Sequence, residues 1–168
     1  MENLTTYPNA GSGLIRVLHV DDEPTDLEIT RIFLSRAAKD NFDIVSVLSA
    51  EAALDKLEHE HFDVVISDYK MPGMDGIQLL ETIRNNKNYG HIPFILFTGQ
   101  GGELVAANAL HKGADRYITK SGNPASQCTE LTHTIQDLLN WELNGNAHWE
   151  SDKRPLDAAF KDSQCHLV

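Results

Sequence analysis

Basic residues are scarce in this 168-residue chain. Fourteen Lys and Arg stand against 25 Asp and Glu, for a formal charge of −11. A surface with that balance cannot neutralise a phosphate backbone, which argues against direct DNA binding, and it disfavours docking on an anionic membrane. Long apolar runs are missing too: none approaches the ~20 residues that span a bilayer. Residues 1–13 lack the basic-then-apolar order of a signal peptide. Cysteine is limited to Cys128 and Cys165, far apart and outside any metal-ligand spacing, so both read as free thiols in a reducing cytoplasm. No internal repeat or low-complexity tract is present. What is there, 41% apolar and 23% charged residues, is the composition of a soluble globular domain, expected to be cytoplasmic.

The chain divides by pattern. Residues 1–13 hold Pro8, Asn9, Gly11, Ser12 and Gly13 with almost no apolar periodicity, and are expected to form a flexible lead-in. From Leu14 onward, short apolar runs alternate with amphipathic stretches. The runs are Ile15–Val20, 44–48, Val64–Ser67, 94–97 and 117–119, each short and rich in Val, Ile, Leu or Phe, as strands buried on both faces should be. Between them, helical spacing puts Leu27, Thr30, Leu34 and Ala37 or Ala38 on one side of 25–39. The same spacing recurs in 50–60, around Ile77, Leu80 and Ile83, in 103–111, and in Pro124–Leu143. Five strand–helix units in succession predict an α/β fold of (βα)5 type, a doubly wound parallel sheet with helices on both faces. After Leu143 the periodicity fails. Residues 144–168 are too few to bury a core of their own, and are expected to be disordered or docked, with no output domain.

In an open parallel sheet, ligands gather beyond the carboxyl ends of the strands. Strand one ends in Asp21, Asp22 and Glu23, strand three in Asp68, strand four in Thr98 and Gly99, and strand five in Lys120. Strand two ends in Ser49 and offers little. Taken singly, each of these polar residues could be a helix cap or a solvated side chain. Their joint arrival at four strand ends calls for a common cause. Crowded carboxylates repel one another unless a cation sits among them, and an all-oxygen donor set suits Mg²⁺, with Mn²⁺ as the alternative. A hydroxyl and an ammonium opposite such an ion would hold the oxygens of a phosphoryl group while an aspartate attacks phosphorus.

The stretches Val20-Asp21-Asp22-Glu23-Pro24, Asp68-Tyr69-Lys70-Met71-Pro72-Gly73-Met74-Asp75-Gly76, Phe97-Thr98-Gly99 and Gly113-Ala114-Asp115-Arg116-Tyr117-Ile118-Thr119-Lys120 together resemble the receiver domain of two-component response regulators. The resemblance covers residues 14–143 and implies a flavodoxin-like sheet with strand order 2-1-3-4-5. It implies that Asp68 accepts a phosphoryl group from a phosphohistidine on a sensor histidine kinase. Asp22 and Asp68 would bind Mg²⁺ directly, Asp21 through water, and Lys70 through its backbone carbonyl. Lys120 would pair with Asp68 and then with the phosphoryl oxygens. Thr98 would bind the phosphoryl group, and Tyr117, at the family's aromatic switch position, would turn inward as Thr98 is drawn to it. Lys70 and Gln100 occupy positions that tune phosphoryl lifetime. Residues 101–143 would form the readout face. Ser121 departs from the family, which usually has Pro there, often after a cis bond. The ~3 kcal/mol cost of a cis bond before a non-proline residue points to trans here.

With no basic cluster and no helix-turn-helix pattern after Leu143, the expected protein is a single-domain response regulator. It would act on an unknown downstream protein, as a monomer or as a phosphorylation-dependent dimer, and not as an enzyme on a separate substrate. A relay intermediate or phosphate sink would carry the same motifs. A Mg²⁺-dependent phosphohydrolase with an aspartyl-phosphate is disfavoured because Asp21 and Asp22 are adjacent rather than spaced Asp-x-Asp. An FMN-binding flavodoxin-like module is disfavoured because three acids would repel a phosphate after strand one. The eight histidines are expected to be solvated or locally hydrogen-bonded, with no role in metal binding or phosphotransfer.

Overall fold

The computed structural model describes residues 13–143. Ten elements alternate along it: β1 Ile15–Val20, α1 Pro24–Ala37, β2 Phe42–Val47, α2 Ala50–His59, β3 Val64–Ser67, α3 Gly76–Arg84, β4 Phe94–Thr98, α4 Glu103–Lys112, β5 Arg116–Thr119 and α5 Pro124–Leu143. All strand pairs are parallel and the order is β2-β1-β3-β4-β5, the doubly wound arrangement expected. The lead-in and the tail at 144–168 lie outside the described residues. Among the described residues no helix is long and apolar enough to cross a membrane.

Side chains alternate across the sheet and divide its core in two. Leu18, Val20, Val65, Phe94 and Leu96 face α2, α3 and α4. Val17, Ile66, Ile95, Phe97 and Ile118 face α1 and α5, where they meet Leu34, Ala38, Cys128, Leu131 and Ile135. Strands β1, β3 and β4 are interior and almost wholly buried, which is why they read as unbroken apolar runs. Strand β2 starts at Phe42, opposite Ile15, and ends at Val47, two residues before and one before the expected limits. It is an edge strand, and exposed Asp43 and Ser46 interrupt its apolar pattern.

Local chemistry fixes the helix starts around the strand ends. Pro24 occupies the first turn of α1, where its missing N–H is no loss. Ser49 caps α2 by accepting from the Ala52 N–H at 3.1 Å. Asp75 and Gln78 form a reciprocal capping box at α3. Gly76 opens that helix directly against the end of β3: a methyl group there would drive into the carbonyl oxygen of Asp68. The sequence thus sets the α3 terminus hard against the Asp68 loop.

Candidate functional site

The site is assembled at the carboxyl ends of β1, β3, β4 and β5. Asp21 has no exposed side-chain surface. Its Oδ1 accepts from the Glu23 N–H at 3.0 Å, and its Oδ2 accepts from the Lys120 ammonium at 2.7 Å. Asp68 is 15% exposed. Its Oδ1 accepts from the Tyr69 N–H at 2.7 Å, while its Oδ2 lies 3.7 Å from Lys120 Nζ, too far for a hydrogen bond. Asp22 is half-buried beside them, and the three acids bring one oxygen each within 4.8 Å of one another.

Lys120 is therefore shared. Its hydrogen bond goes to Asp21, while Asp68 at 3.7 Å and Asp26 at 3.6 Å take longer ion pairs. Its ammonium also lies 5.2 Å from the centre of the Phe97 ring, within cation–π range. Sequence reasoning paired Lys120 with Asp68 alone and missed Asp26, whose signal was its place in the first turn of the helix following the acidic pair. Burial would lower the Lys120 pKa, but the Asp21 hydrogen bond and the charges of Asp21, Asp68 and Asp26 outweigh it and raise the pKa.

Asp21 shows why a cation suits this rim. Burial raises its carboxyl pKa, helped by the nearby Asp68 charge, and the hydrogen bonds from Lys120 and Glu23 do not fully offset it. A divalent ion among Asp21, Asp22 and Asp68 would remove that penalty, and oxygens are the only donors offered, as Mg²⁺ prefers. Lys70, two residues after Asp68, is in the β3–α3 loop with its side chain exposed.

The remaining predicted residues stand on the neighbouring loop. Thr98 is fully buried, and its hydroxyl exchanges hydrogen bonds of 3.1 Å with the carbonyl and N–H of exposed Gln100. It is thus committed to its own loop in this state. Tyr117 is half-buried, and its hydroxyl accepts from the Gly102 N–H at 3.4 Å. It sits so close to Gly101 that a methyl there would collide with the hydroxyl. The Lys120–Ser121 peptide is trans, there being no cis bond among the described residues, and Lys120 N–H still donates to the Thr98 carbonyl at 2.9 Å.

His19 corrects the expectation for the histidines. Its ring is 1% exposed, and neither nitrogen has a hydrogen-bond partner within the protein. The signal was available: an interior strand covered on both faces buries every residue it carries. Burial first, and the Lys120 charge second, depress its pKa to about 3. Below pH 6.5 the unfolded chain binds a proton that the folded chain refuses, so stability falls as pH drops from about 6.5 toward 3. At pH 5 this amounts to roughly 2 kcal/mol. Urea unfolding at pH 7 and pH 5 should show His19→Leu losing less stability than the natural protein by about that amount. Equal losses would mean the ring takes up its proton in the folded state.

Comparison with known proteins places this geometry. A family model described as the response regulator receiver domain matches residues 17–132. The response regulator protein FleR of Pseudomonas aeruginosa is 49% identical over 115 residues, covering 68% of this chain but 24% of FleR. The chemotaxis protein CheY homologue of Campylobacter jejuni is 33% identical over 126 residues, covering 74% of this chain and 92% of that protein. The chain therefore spans about a quarter of one relative and nearly all of the other. Among solved structures, a CheY-like receiver domain protein from Methanospirillum hungatei superposes with a TM-score of 0.65 at 28% identity, covering 76% of this chain and 98% of that one.

Proposed function

Since the chain belongs to the response regulator receiver family, we propose that it is a switch whose Asp68 accepts a phosphoryl group from a sensor histidine kinase. One observation carries this reading: of the two strand-end acids that Lys120 meets, Asp21 and Asp68, only Asp68 keeps an oxygen out of hydrogen bonding and some surface open to solvent. Asp21 has both oxygens engaged and no exposure, so it is a holder and not a nucleophile.

Asp22 and Asp68 would hold Mg²⁺ directly, with Asp21 through water and the Lys70 carbonyl completing the protein's share. The ion would supply charge neutralisation at the transferring phosphoryl oxygens. Lys120 moves from Asp21 to those oxygens. Thr98 gives up Gln100 to donate to them, and Tyr117 gives up Gly102 and turns inward. The signal leaves through a changed protein-contact surface at residues 101–143. The single-domain form of this reading draws support from the Campylobacter protein, nearly all of whose length is matched.

Intact-protein mass after incubation with Mg²⁺ and acetyl phosphate tests the proposal. A single phosphoryl adduct is expected, and EDTA should prevent it. No adduct from acetyl phosphate or from candidate kinases would refute the phosphoacceptor reading. Mg²⁺ should also stabilise the fold without any phosphodonor. At one hundred times its dissociation constant the gain is about 2.7 kcal/mol, visible as a raised thermal midpoint. Asp22→Asn should remove most of that gain; a midpoint indifferent to Mg²⁺ in both proteins would count against the metal site.

A further inference from the structure

Strand β3 ends at Ser67, after Val64, Val65 and Ile66, and all four residues are fully buried. The first three fill the two core layers as aliphatic side chains should. Serine adds little apolar area there, and a buried hydroxyl costs stability unless it finds a partner. The Ser67 hydroxyl finds one beside it, donating to the Asp68 carbonyl at 2.8 Å. An aliphatic residue would need no such partner, so core packing gives no reason for serine at this position.

The carbonyl that Ser67 grips supplies one. It belongs to a rigid, planar peptide unit, with the Asp68 C=O at one edge and the Tyr69 N–H at the other. That N–H donates to Asp68 Oδ1 at 2.7 Å. The backbone on either side is fixed as well: the Asp68 N–H donates to the Val20 carbonyl at 2.9 Å, and the Tyr69 carbonyl accepts from the Gly76 N–H at 2.8 Å. Asp68 itself lies past the end of β3. Its carbonyl takes the Ser67 hydroxyl and sits so near Gly76 that a methyl group there would overlap it. Ser67 therefore helps to set the tilt of the plane whose far edge holds the carboxylate.

We infer that Ser67 is a positioning residue for Asp68: its hydroxyl holds the Asp68–Tyr69 peptide so that the Tyr69 N–H keeps Oδ1 and leaves Oδ2 for the phosphoryl group. This deepens the phosphoacceptor reading above and rests on it. Ser67 touches no reacting atom, forms no covalent bond and transfers no proton. It narrows the rotations open to the carboxylate, and small misplacements of a reacting group cost rate out of proportion to their size.

Two variants, Ser67→Ala and Ser67→Thr, separate positioning from packing. Adduct formation with acetyl phosphate and Mg²⁺ is followed over time by intact mass, and urea midpoints at pH 7 establish that each variant is folded. Ser67→Ala should form the adduct about tenfold more slowly. Ser67→Thr, which keeps the hydroxyl, should recover most of the rate. Alanine at the natural rate, or threonine as slow as alanine, overturns the inference. A second readout needs neither variant, metal nor phosphodonor. In the natural protein, hydrogen exchange at the Tyr69 amide should be within about tenfold of that at the Asp68 amide, which is tied to β1. A Tyr69 amide that exchanges faster than this, in protein that does form the adduct, overturns the inference without touching the phosphoacceptor reading. Absence of any adduct in the natural protein removes that reading, and the Ser67 role falls with it.

Discussion

Asp68→Ala is expected to abolish phosphoryl uptake, and Lys120→Ala to slow it about 10²–10³-fold. The two losses have different physical origins. Asp68 Oδ2 is the atom that would bond to phosphorus as the bond from phosphorus to the donor breaks and the donor leaves with its electron pair. Oδ1 is held by the Tyr69 N–H at 2.7 Å, which would aim the carboxylate and leave Oδ2 to attack. Without that carboxylate Asp21 cannot substitute, since it is bonded through both oxygens. Lys120, by contrast, would meet charge that develops as the phosphoryl group transfers, at a position where it is largely screened from water. Asp26 is a useful control: it lies 3.6 Å from Lys120 but is 47% exposed, and Asp26→Ala should leave the rate within about fivefold. Adduct time courses by intact mass check all three. An adduct on Asp68→Ala would move the acceptor elsewhere.

Arg84→Ala should destabilise the domain by about 3–5 kcal/mol, the largest loss anticipated from a residue outside the site. Arg84 lies in the last turn of α3, and its guanidinium ties together three chain segments. Nε and Nη2 donate to the Gly113 carbonyl at 3.1 and 2.9 Å. Nη1 donates to the Gly90 and Ile92 carbonyls at 2.9 and 2.7 Å. Nη2 also meets Asp115 Oδ2 at 3.0 Å, an oxygen that in turn accepts the Phe94 N–H at 2.8 Å. Alanine would strip the guanidinium from three carbonyls and a carboxylate at once. Lysine offers a point charge in place of a planar fork, so Arg84→Lys should recover less than half of the loss. Urea midpoints at constant slope decide it. A loss below about 1 kcal/mol would mean that water replaces the fork without penalty.

Most of this fold could be read from the sequence because its interior strands are covered on both faces. Continuous apolar runs at β1, β3 and β4 gave their limits to within a residue, and Gly113, at φ +113°, closed α4 as a C-terminal cap should. β2 was misplaced because an edge strand carries solvent-facing Asp43 and Ser46, which break the run. The candidate site was legible as a set of strand ends, since parallel topology forces those ends onto one rim. Its internal pairing was not. Whether Lys120 bonds Asp21 or Asp68 turns on a difference of 1.0 Å between 2.7 and 3.7 Å, which no residue spacing reports. Thr98 was identified, but its hydroxyl bonds to Gln100 follow from local loop geometry that no spacing rule reports. His19 was misread because residue type suggested water while its strand dictated burial.

The link between β4 and α4 consists of Gly99, Gln100, Gly101 and Gly102, fastened by the Thr98–Gln100 bonds at one end and the Gly102–Tyr117 bond at the other. Three glycines in four residues give this segment an unusually large reserve of backbone entropy once the fastenings release. The fastened form is held by a handful of enthalpic contacts, and the released form is favoured by freedom. On the proposed reading, the balance between them would shift with temperature as well as with a group bound at Asp68: warming alone should draw the link toward release.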